Sequence, residues 1–272
     1  MAGTVRSSLY LQLVFSTFDT KKSRTVVRDF FIFVKTFKDP FSNMDKKQIF
    51  SEKIFLPFCE GNTRDSLELT NLLYQKYPVE NTGYQDAGTW RIVENYFIAK
   101  VIPHKIEVRK AGLELLEHDW FVRLLSLSDC SVSENPIETF KYHLWMHDLS
   151  KFSLNEAYGY AVHDFKNPEP TLSVYGNAWH HHKINNPHHP EYWFDAARDG
   201  KVTPLSMSGI YIGEMIADWL GASRSYGQNI EEWLAKNLSQ FLFHPYTANL
   251  LHRGLSSLGF NVQNHGQQLS IH

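Results

Sequence analysis

From about residue 89 onward, the apolar positions of the chain recur at the spacing of an α-helix. Trp90, Val93, Phe97 and Val101 lie three or four residues apart, up to a break at Pro103. Alternation of apolar and polar residues, which would indicate strands, is scarce after residue 85. The pattern therefore predicts an all-α main domain. Its expected helices cover residues 89–102, 104–116, 119–127, 137–146, 154–165, 172–185, 207–220, 229–243 and 246–258.

The two ends of the chain differ from this helical region in composition and in the pattern of apolar residues. Residues 1–88 are rich in Phe, Thr, Ser and Lys, and Pro and Gly breaks interrupt any helical period. We expect an irregular extension there, with one short helix over residues 65–77 capped near Asn62 or Thr63. Residues 261–272 are polar, which predicts a frayed tail. The expected organisation is thus an N-terminal extension (1–88), a helical domain (89–260) and a C-terminal tail (261–272).

Composition narrows the class of protein. The chain has 272 residues, of which 43% are hydrophobic and 21% charged, as is ordinary for a globular protein with a sizeable core. Its formal net charge of −2 gives no sign of nucleic-acid binding by bulk electrostatics. No apolar run reaches the roughly 18 residues that would suggest a membrane span. The two cysteines, Cys59 and Cys130, predict a reducing compartment, so we expect a cytoplasmic protein.

A concentration of histidines marks the middle of the chain, where eight of the fourteen lie between His143 and His189. Within this stretch His147 and Asp148 are adjacent on an expected helix, and Lys151 follows Asp148 by three residues. Imidazole and carboxylate groups are common ligands of transition metals. The two oxygens of Asp148 could bridge two ions, and the Lys151 ammonium could neutralise a phosphate or another anion. Taken alone, the motif fits equally well a helix-capping pair with a solvated lysine.

The remaining histidines could complete such a site. His104 lies upstream on a separate expected helix, and alone it would be a core or surface residue, but a metal site in a helical bundle takes ligands from several helices. Of the three consecutive histidines at 180–182, no more than two can face one direction. His188 and His189 follow a proline break, which allows a new direction. A structural zinc clip is the alternative explanation for these five residues.

Two acidic residues downstream have the spacing of one helix face. Glu214 and Asp218 are four residues apart among apolar neighbours, and buried carboxylates need a partner because an unpaired buried charge is costly. We expect Asp218 to be a metal ligand and Glu214 to hydrogen-bond a ligand. Arg224 follows in a stretch rich in small residues, where it could contact an anionic substrate, although a simple helix-ending turn is the more common explanation.

The order of these motifs resembles the HD superfamily, whose pattern is a His, then the His-Asp pair, then a final Asp on a helical bundle. The resemblance is closest to an uncharacterised family of bacterial and phage proteins and covers roughly residues 95–255. The segments that carry it are Pro-His-Lys-Ile-Glu-Val from 103, His-Asp-Leu-Ser-Lys-Phe-Ser from 147, Ala-Trp-His-His-His-Lys-Ile-Asn-Asn-Pro-His-His-Pro-Glu-Tyr-Trp from 178, and Glu-Met-Ile-Ala-Asp-Trp-Leu-Gly-Ala-Ser-Arg-Ser-Tyr-Gly from 214.

The resemblance implies a set of metal ligands. In HD proteins the two ends of the pattern and the His-Asp pair hold one ion, which here implies His104, His147, Asp148 and Asp218. Members with two metals add histidines between the pair and the final Asp. In this chain that role would fall to His181 or His182 and to His188 or His189. The lysine three residues after the Asp also occurs in two-metal members and corresponds to Lys151.

These expectations lead to a functional hypothesis. The leading interpretation is a metal-dependent phosphohydrolase that acts on a nucleotide or another small phosphorylated compound, with Lys151, Glu214 and Arg224 as the groups that assist. One or two divalent ions are expected, and Mn, Fe, Mg, Co and Zn fit equally well. A di-iron oxygenase of HD type is the first alternative, and a non-enzymatic binding protein stabilised by metal is the second. The sequence leaves the oligomeric state open.

Overall fold

The computed structural model describes residues 45–77, 87–127, 135–165, 172–198 and 200–271. Contacts divide the chain into two units, Met1–Lys46 and Lys47–His272, and nearly all of the first lies outside the described residues. The described part is helical and contains two small antiparallel hairpins, so the all-α prediction is confirmed. None of the described helices is both long and apolar enough to cross a membrane. Cys59 is buried and carries a free thiol, whereas Cys130 lies outside the described residues.

The described residues form helices of three kinds, namely α, π and 3₁₀. In chain order they are α1 (Lys46–Ile49), a π-helix (Phe50–Phe55), α2 (Leu56–Phe58), α3 (Thr63–Lys76), α4 (Ala87–Tyr96), a second π-helix (Phe97–Val101), α5 (Ile102–Leu115), α6 (Asp119–Leu125), α7 (Pro136–Met146), a 3₁₀ turn (Leu149–Phe152), α8 (Leu154–Phe165), α9 (Leu172–Asn185), a 3₁₀ turn (Pro190–Trp193), α10 (Gly209–Tyr226), α11 (Ile230–Asn237), a 3₁₀ turn (Leu238–Gln240) and α12 (Pro245–Ser257). The strands are β1 (Phe194–Ala196), β2 (Val202–Pro204), β3 (Val262–Asn264) and β4 (Leu269–Ile271).

Residues 45–77 are largely helical, although we expected only one helix in this stretch. That expected helix is present as α3, and the Asn62 side chain caps it by accepting from the backbone N–H groups of Arg64 and Asp65 at 3.1 and 3.3 Å. The preceding run was not predicted because its apolar residues follow the wider period of a π-helix, with Ile49, Ile54 and Phe58 spaced by five and then four residues.

An aromatic cluster attaches this first helical run to the rest of its unit. The rings of Phe50, Phe55, Phe97 and Phe152 are fully buried. The Phe152 ring centroid lies 4.8 Å from that of Phe55 and 4.9 Å from that of Phe97. Buried aromatic rings at such separations contribute both apolar burial and favourable edge contacts. The run from Lys47 therefore belongs to the same core that carries the 3₁₀ turn after α7.

The break expected at Pro103 does not interrupt the chain's helical course. The chain is helical from Ala87 to Leu115, and the π-helix Phe97–Val101 stands directly before the proline. A proline inside a regular α-helix would clash with the carbonyl four residues earlier, and the wider π turn relieves that clash. Consequently α4 and α5 form one long helical element, on which His104 sits one residue after the proline.

The main core lies where α5, α6, α7, α10 and α12 pack together. Helices α5 and α10 approach closely because a glycine stands at their contact. A Cβ added at Gly221 would lie only 2.4 Å from the backbone nitrogen of Val108, so the helices could not come this near with a larger residue. This close pairing brings His104 on α5 and Asp218 on α10 to the same place.

Both short hairpins were missed in the sequence. Residues 195–204, expected as a polar loop, contain β1 and β2, with Phe194 paired to Pro204 and Ala196 to Val202. The C-terminal residues, expected to be frayed, pair Val262 with Ile271 in β3 and β4. Val262 and Leu269 are buried in the main core, which explains why this end is ordered. Strands of three residues are too short to show a convincing alternation.

Candidate metal centre

The His147–Asp148 pair stands in a sharp turn rather than on a helix. Helix α7 ends at Met146, and His147 has an extended backbone with φ −44° and ψ 130°. Asp148 then adopts a left-handed conformation with φ 55° and ψ 25°, which Asp tolerates better than most residues. On a helix, adjacent side chains would point about 100° apart. Leaving the helix at this point lets both side chains face the same site.

A buried lysine holds this turn from behind. Lys105 on α5 donates from Nζ to the backbone carbonyls of His147 and Trp145, the latter at 3.1 Å. These carbonyls lie at the C-terminal end of α7, where helical partners are missing and a positive charge is favourable. The ammonium also lies 4.7 Å from the ring centroid of Phe58, and burial lowers the pKa of Lys105 to about 7. This role of Lys105 was not predicted from the sequence, although Lys105 lies among the core positions of its helix.

The first donor group consists of His104, His147, Asp148 and Asp218, which lie on α5, in the turn and on α10. His104 Nε2 lies 3.3 Å from Asp148 Oδ2 and 3.2 Å from Asp218 Oδ1. His147 Nε2 lies 3.5 and 3.4 Å from the same two oxygens. The two imidazole nitrogens are 3.3 Å apart. Four donor atoms from three elements thus converge on one small volume.

The second donor group consists of Asp148, His182, His188 and His189, whose donor atoms all lie within 4.8 Å of one another. His182 Nε2 and His188 Nε2 lie 3.5 and 3.6 Å from Asp148 Oδ1. His189 Nε2 lies 2.9 Å from His182 Nε2. His182 comes from the last turns of α9, and the other two histidines come from the connection that follows it. Pro187 changes the chain direction between them, as the sequence suggested.

Asp148 is the residue common to both groups. Its Oδ2 faces the imidazoles of the first group, whereas its Oδ1 faces those of the second. Both Asp148 Oδ1 and His188 Nε2 are buried and have no hydrogen-bond partner within the described part of the chain. Burying such polar atoms is costly unless something satisfies them. The donor set and these two unsatisfied atoms therefore fit a bound cation, and a bridging carboxylate is suited to two.

Glu214 on α10 orients three histidines at once. Its Oε1 lies 3.0 Å from His147 Nδ1 and 3.2 Å from His188 Nδ1, while its Oε2 lies 3.1 Å from His143 Nδ1. His147, His188 and Glu214 are close enough to hold an ion themselves. However, when Nδ1–H donates to a carboxylate, the Nε2 atom of the same ring is left free as a ligand, and both Nε2 atoms face Asp148. Glu214 is thus placed to position ligands of both donor groups.

Glu156 has the corresponding role beside the second group. Its Oε2 lies 2.8 Å from His182 Nδ1, and its Oε1 lies 2.7 Å from His181 Nδ1. Ser153 precedes Glu156 by three residues, which is the spacing of a capping box, and α8 begins at Leu154. The box itself is not formed, because Glu156 contacts the histidines and Ser153 Oγ has no hydrogen-bond partner among the residues that the structure describes. Because the pattern from Ser153 to Glu156 is typical of a helix cap, it gave no indication that Glu156 contacts His181 and His182.

The structure shows which of the candidate histidines after residue 180 lie close to Asp148. His182, His188 and His189 converge at Asp148, whereas the His181 ring turns toward Glu156 and Asn155. Asn186 fixes the end of α9, since its amide donates to the His182 carbonyl at 2.7 Å and to Ser150 Oγ at 2.8 Å. His181 therefore lies beside the centre without joining either donor group.

Lys151 contacts the centre directly, and Arg224 does not. Lys151 Nζ lies 2.7 Å from Asp148 Oδ2, and its side chain is 13% exposed. Arg224 forms a bidentate pair with Glu114 at 3.0 and 2.7 Å on the surface. It lies within α10, which continues past the expected end at residue 220, just before Gly221, to Tyr226, where Gly227 caps it with φ 64°. The helix-ending turn expected around Arg224 is therefore wrong.

The electrostatics of the centre favour positive charge. Burial alone would raise the pKa of Asp148, but the neighbouring His147 and Lys151 hold it well below its usual range. The pKa values of Asp218 and Glu214 are likewise lowered well below their usual range, because contacts with the histidines outweigh burial. Burial opposes protonation of His147, yet these three carboxylates raise its pKa to about 10. Buried carboxylates at this density require compensating cations.

Comparison with known proteins places the chain in a family. A protein-family model matches residues 93–257, and its description is "Family of unknown function (DUF5662)". The chain belongs to this family. No curated protein and no solved structure matches the chain. The DUF5662 region contains every member of both donor groups, while the link to the HD superfamily remains a prediction.

Proposed function

We propose that this DUF5662 member is a metal-dependent phosphohydrolase with a centre for two divalent ions, acting on a small phosphorylated compound. The observation that carries the proposal is the position of Asp148, whose two oxygens face separate sets of imidazoles. His104, His147 and Asp218 would hold one ion, and His182, His188 and His189 the other. Ions bound there would supply Lewis acidity toward phosphoryl oxygens and a water acidic enough to attack at neutral pH.

The protein's own groups provide positioning and charge. Glu214 and Glu156 accept from the Nδ1 atoms of ligand histidines and so fix the ring orientations. Lys151 is the cation nearest to Asp148, and its partial exposure leaves it accessible to a substrate phosphate. A lysine is suited to this because its ammonium acts as a compact point charge toward a phosphate.

A di-iron oxygenase is the second candidate function, and the types of donor atom in the centre support it. Five imidazoles against two carboxylates form a nitrogen-rich set, which suits iron or zinc better than magnesium. Iron content after anaerobic purification, together with oxygen consumption, separates this candidate from a hydrolase. A purely structural zinc site fits less well, because a cavity of about 230 Å³ lies against His189 and Asp218, whereas structural sites are closed.

The test of the hydrolase proposal is phosphate release from a panel of nucleotides, p-nitrophenyl phosphate and bis(p-nitrophenyl) phosphate. Each assay is run with added Mn, Mg, Co, Fe or Zn. We expect activity with at least one metal and a loss of at least about ten-fold in His182→Ala, because losing a ligand should cost no less than losing an outer partner.

His180→Ala is the matched control, since His180 belongs to the same histidine triplet but is exposed and lies outside both donor groups. Its activity should equal that of the wild type. Absence of phosphate release with every metal and substrate would refute the hydrolase proposal. Metal-dependent oxygen consumption in the same preparation would favour the oxygenase.

A further inference from the structure

A small cavity opens beside the second donor group and is lined by both aromatic and polar side chains. It measures about 230 Å³ and borders the centre at His189 and Asp218. Away from the centre its walls include five aromatic residues: Trp179, Trp219, Tyr226, Trp233 and Phe241. Drug-sized ligands occupy cavities of about 300–1,000 Å³, so this one suits a smaller molecule.

The aromatic walls are braced by one another and by the centre. Trp219 stacks on Phe241 with ring centroids 5.8 Å apart, and Trp233 lies 5.5 Å from Trp219. Tyr226 stacks on His104 at 5.9 Å, although it is 46% exposed and so stands at the mouth. The ring positions are therefore set by packing before any ligand enters, which lowers the ordering cost of binding.

Glu191 lines the same cavity, and one of its carboxylate oxygens is unsatisfied. Its Oε2 is buried and has no hydrogen-bond partner among the described residues. The side chain lies in the 3₁₀ turn Pro190–Trp193, directly after the ligand histidines. A buried carboxylate oxygen without a partner is costly, and a cationic ligand would compensate it.

The charge of the lining has one sign. The described residues around the cavity include no lysine or arginine. Of the two carboxylates in its lining, Glu191 lies outside the donor groups, whereas Asp218 is a candidate ligand of the first ion. Lys183 approaches Trp179 with Nζ 5.8 Å from the ring centroid, so Trp179 already has a cationic neighbour. A cationic ligand is accordingly expected to contact Trp219, Tyr226, Trp233 and Phe241. Aromatic faces combined with carboxylates attract cations and disfavour anions.

We propose that this cavity binds an organic ammonium group, quaternary or substituted, at the non-reacting end of the substrate. Electron-rich ring faces and the Glu191 carboxylate would surround the cation, while the other end of the molecule would reach His189 and Asp218. Assigning the cavity to the substrate rests on the proposed function, and it narrows the substrate class to small phosphorylated amino alcohols. Binding of the ammonium group alone does not require turnover.

The test compares choline with its neutral isostere 3,3-dimethylbutan-1-ol by isothermal titration calorimetry on the full-length protein. The two molecules have the same shape and differ in charge. The difference between their binding affinities therefore measures how strongly the cavity recognises the positive charge. We expect choline to bind about ten-fold more tightly than the isostere, as a desolvated aromatic site for a cation would give. Glu191→Gln should remove most of this preference, and Trp233→Leu should weaken choline binding.

Glu231→Gln is the control, because Glu231 is exposed on α11 and does not line the cavity. Circular dichroism confirms that each variant is folded. Equal affinity for choline and the isostere, or no binding of choline to the folded wild type, would overturn the inference. A different result would show that the proposed function fails while the ammonium site is correct. In that case the protein would still prefer choline over the isostere but would release phosphate from no substrate. Phosphate release with no preference for ammonium substrates would reject only the ammonium site.

Discussion

The two donor groups share Asp148 but are built in different ways. The first depends on backbone packing, since His104 and Asp218 lie on α5 and α10, which meet at Gly221 and Val108. The second depends on side-chain hydrogen bonds, since His188 and His189 lie in the connection after α9, outside any helix. The comparison indicates that one group is fixed by the fold itself, whereas the other is fixed by a few local partners.

The partners of the second group can be identified individually. Glu156 holds the His182 ring, Asn186 holds the backbone at the end of α9, and Glu214 holds His188. Glu214 also holds His147 of the first group, so it links the two. Substitutions at these positions should therefore affect one donor group, or both, according to the contacts they remove.

The largest effect is expected for Asp148→Ala, because this residue contributes an oxygen to each group. We expect metal affinity at both positions to fall by more than about 100-fold, since removing even outer partners of a ligand costs about 10–100-fold. Elemental analysis of the purified protein measures the loss. His180→Ala is the reference variant, and unchanged metal content in Asp148→Ala would remove the proposed centre altogether.

The second largest effect on metal affinity is expected for Glu214→Gln and Glu156→Gln, which should differ in the donor groups they weaken. The amide replaces one acceptor oxygen by a donor, so Glu214→Gln should weaken both donor groups about 10–100-fold. Glu156→Gln should weaken the second group by a similar factor and leave the first unchanged. Metal titration followed by calorimetry resolves the two positions. If Glu156→Gln lowers the affinity of both positions equally, the two groups are not built independently.

Gly221→Ala tests the dependence of the first group on helix packing. The added Cβ would lie 2.4 Å from Val108 N, so α5 and α10 would have to separate. We expect a loss of about 1–3 kcal/mol in the free energy of unfolding. Gly176→Ala on α9 is the matched control, because nothing lies within 4 Å of its added Cβ. That change should stabilise the helix by roughly 0.5–1 kcal/mol, and equal effects in urea unfolding would contradict the packing argument.

The smallest effect is expected for Arg224→Ala. Its side chain is 39% exposed and pairs with Glu114, which is 57% exposed. Exposed ion pairs contribute about 0–1 kcal/mol. We expect the free energy of unfolding to change within that range and kcat to stay unchanged. A marked fall in kcat would restore the sequence-based view of Arg224 as a substrate contact.

The helices and the convergence of ligand types followed from the sequence because both depend on local pattern. Apolar periodicity predicts helices such as α6 and α12 well, since each buries one continuous stripe. The π-helix Phe50–Phe55 could not be found this way, because its period differs from that of an α-helix. The end of α10 was misplaced because Gly221 serves helix packing, and the actual cap is Gly227.

The finer structure of the centre was out of reach because it depends on backbone direction and on tertiary contacts. The left-handed conformation of Asp148 takes the His-Asp pair off the helix, and no pattern of residue types indicates that. The choice of His182 over His181 follows from how α9 is rotated against Glu156. Glu191 and Lys105 carry no sequence signature, since their roles arise only from burial among distant elements.

The position of Phe152 has a practical consequence for any truncated version of the protein. This ring follows Lys151 directly and rests on Phe55, which lies well before the region that the family model matches. A fragment trimmed to residues 93–257 would retain all seven candidate ligands and Phe97, but it would lose Phe50 and Phe55 from the aromatic cluster around Phe152. Fragments for crystallisation or metal reconstitution should therefore begin no later than Lys47.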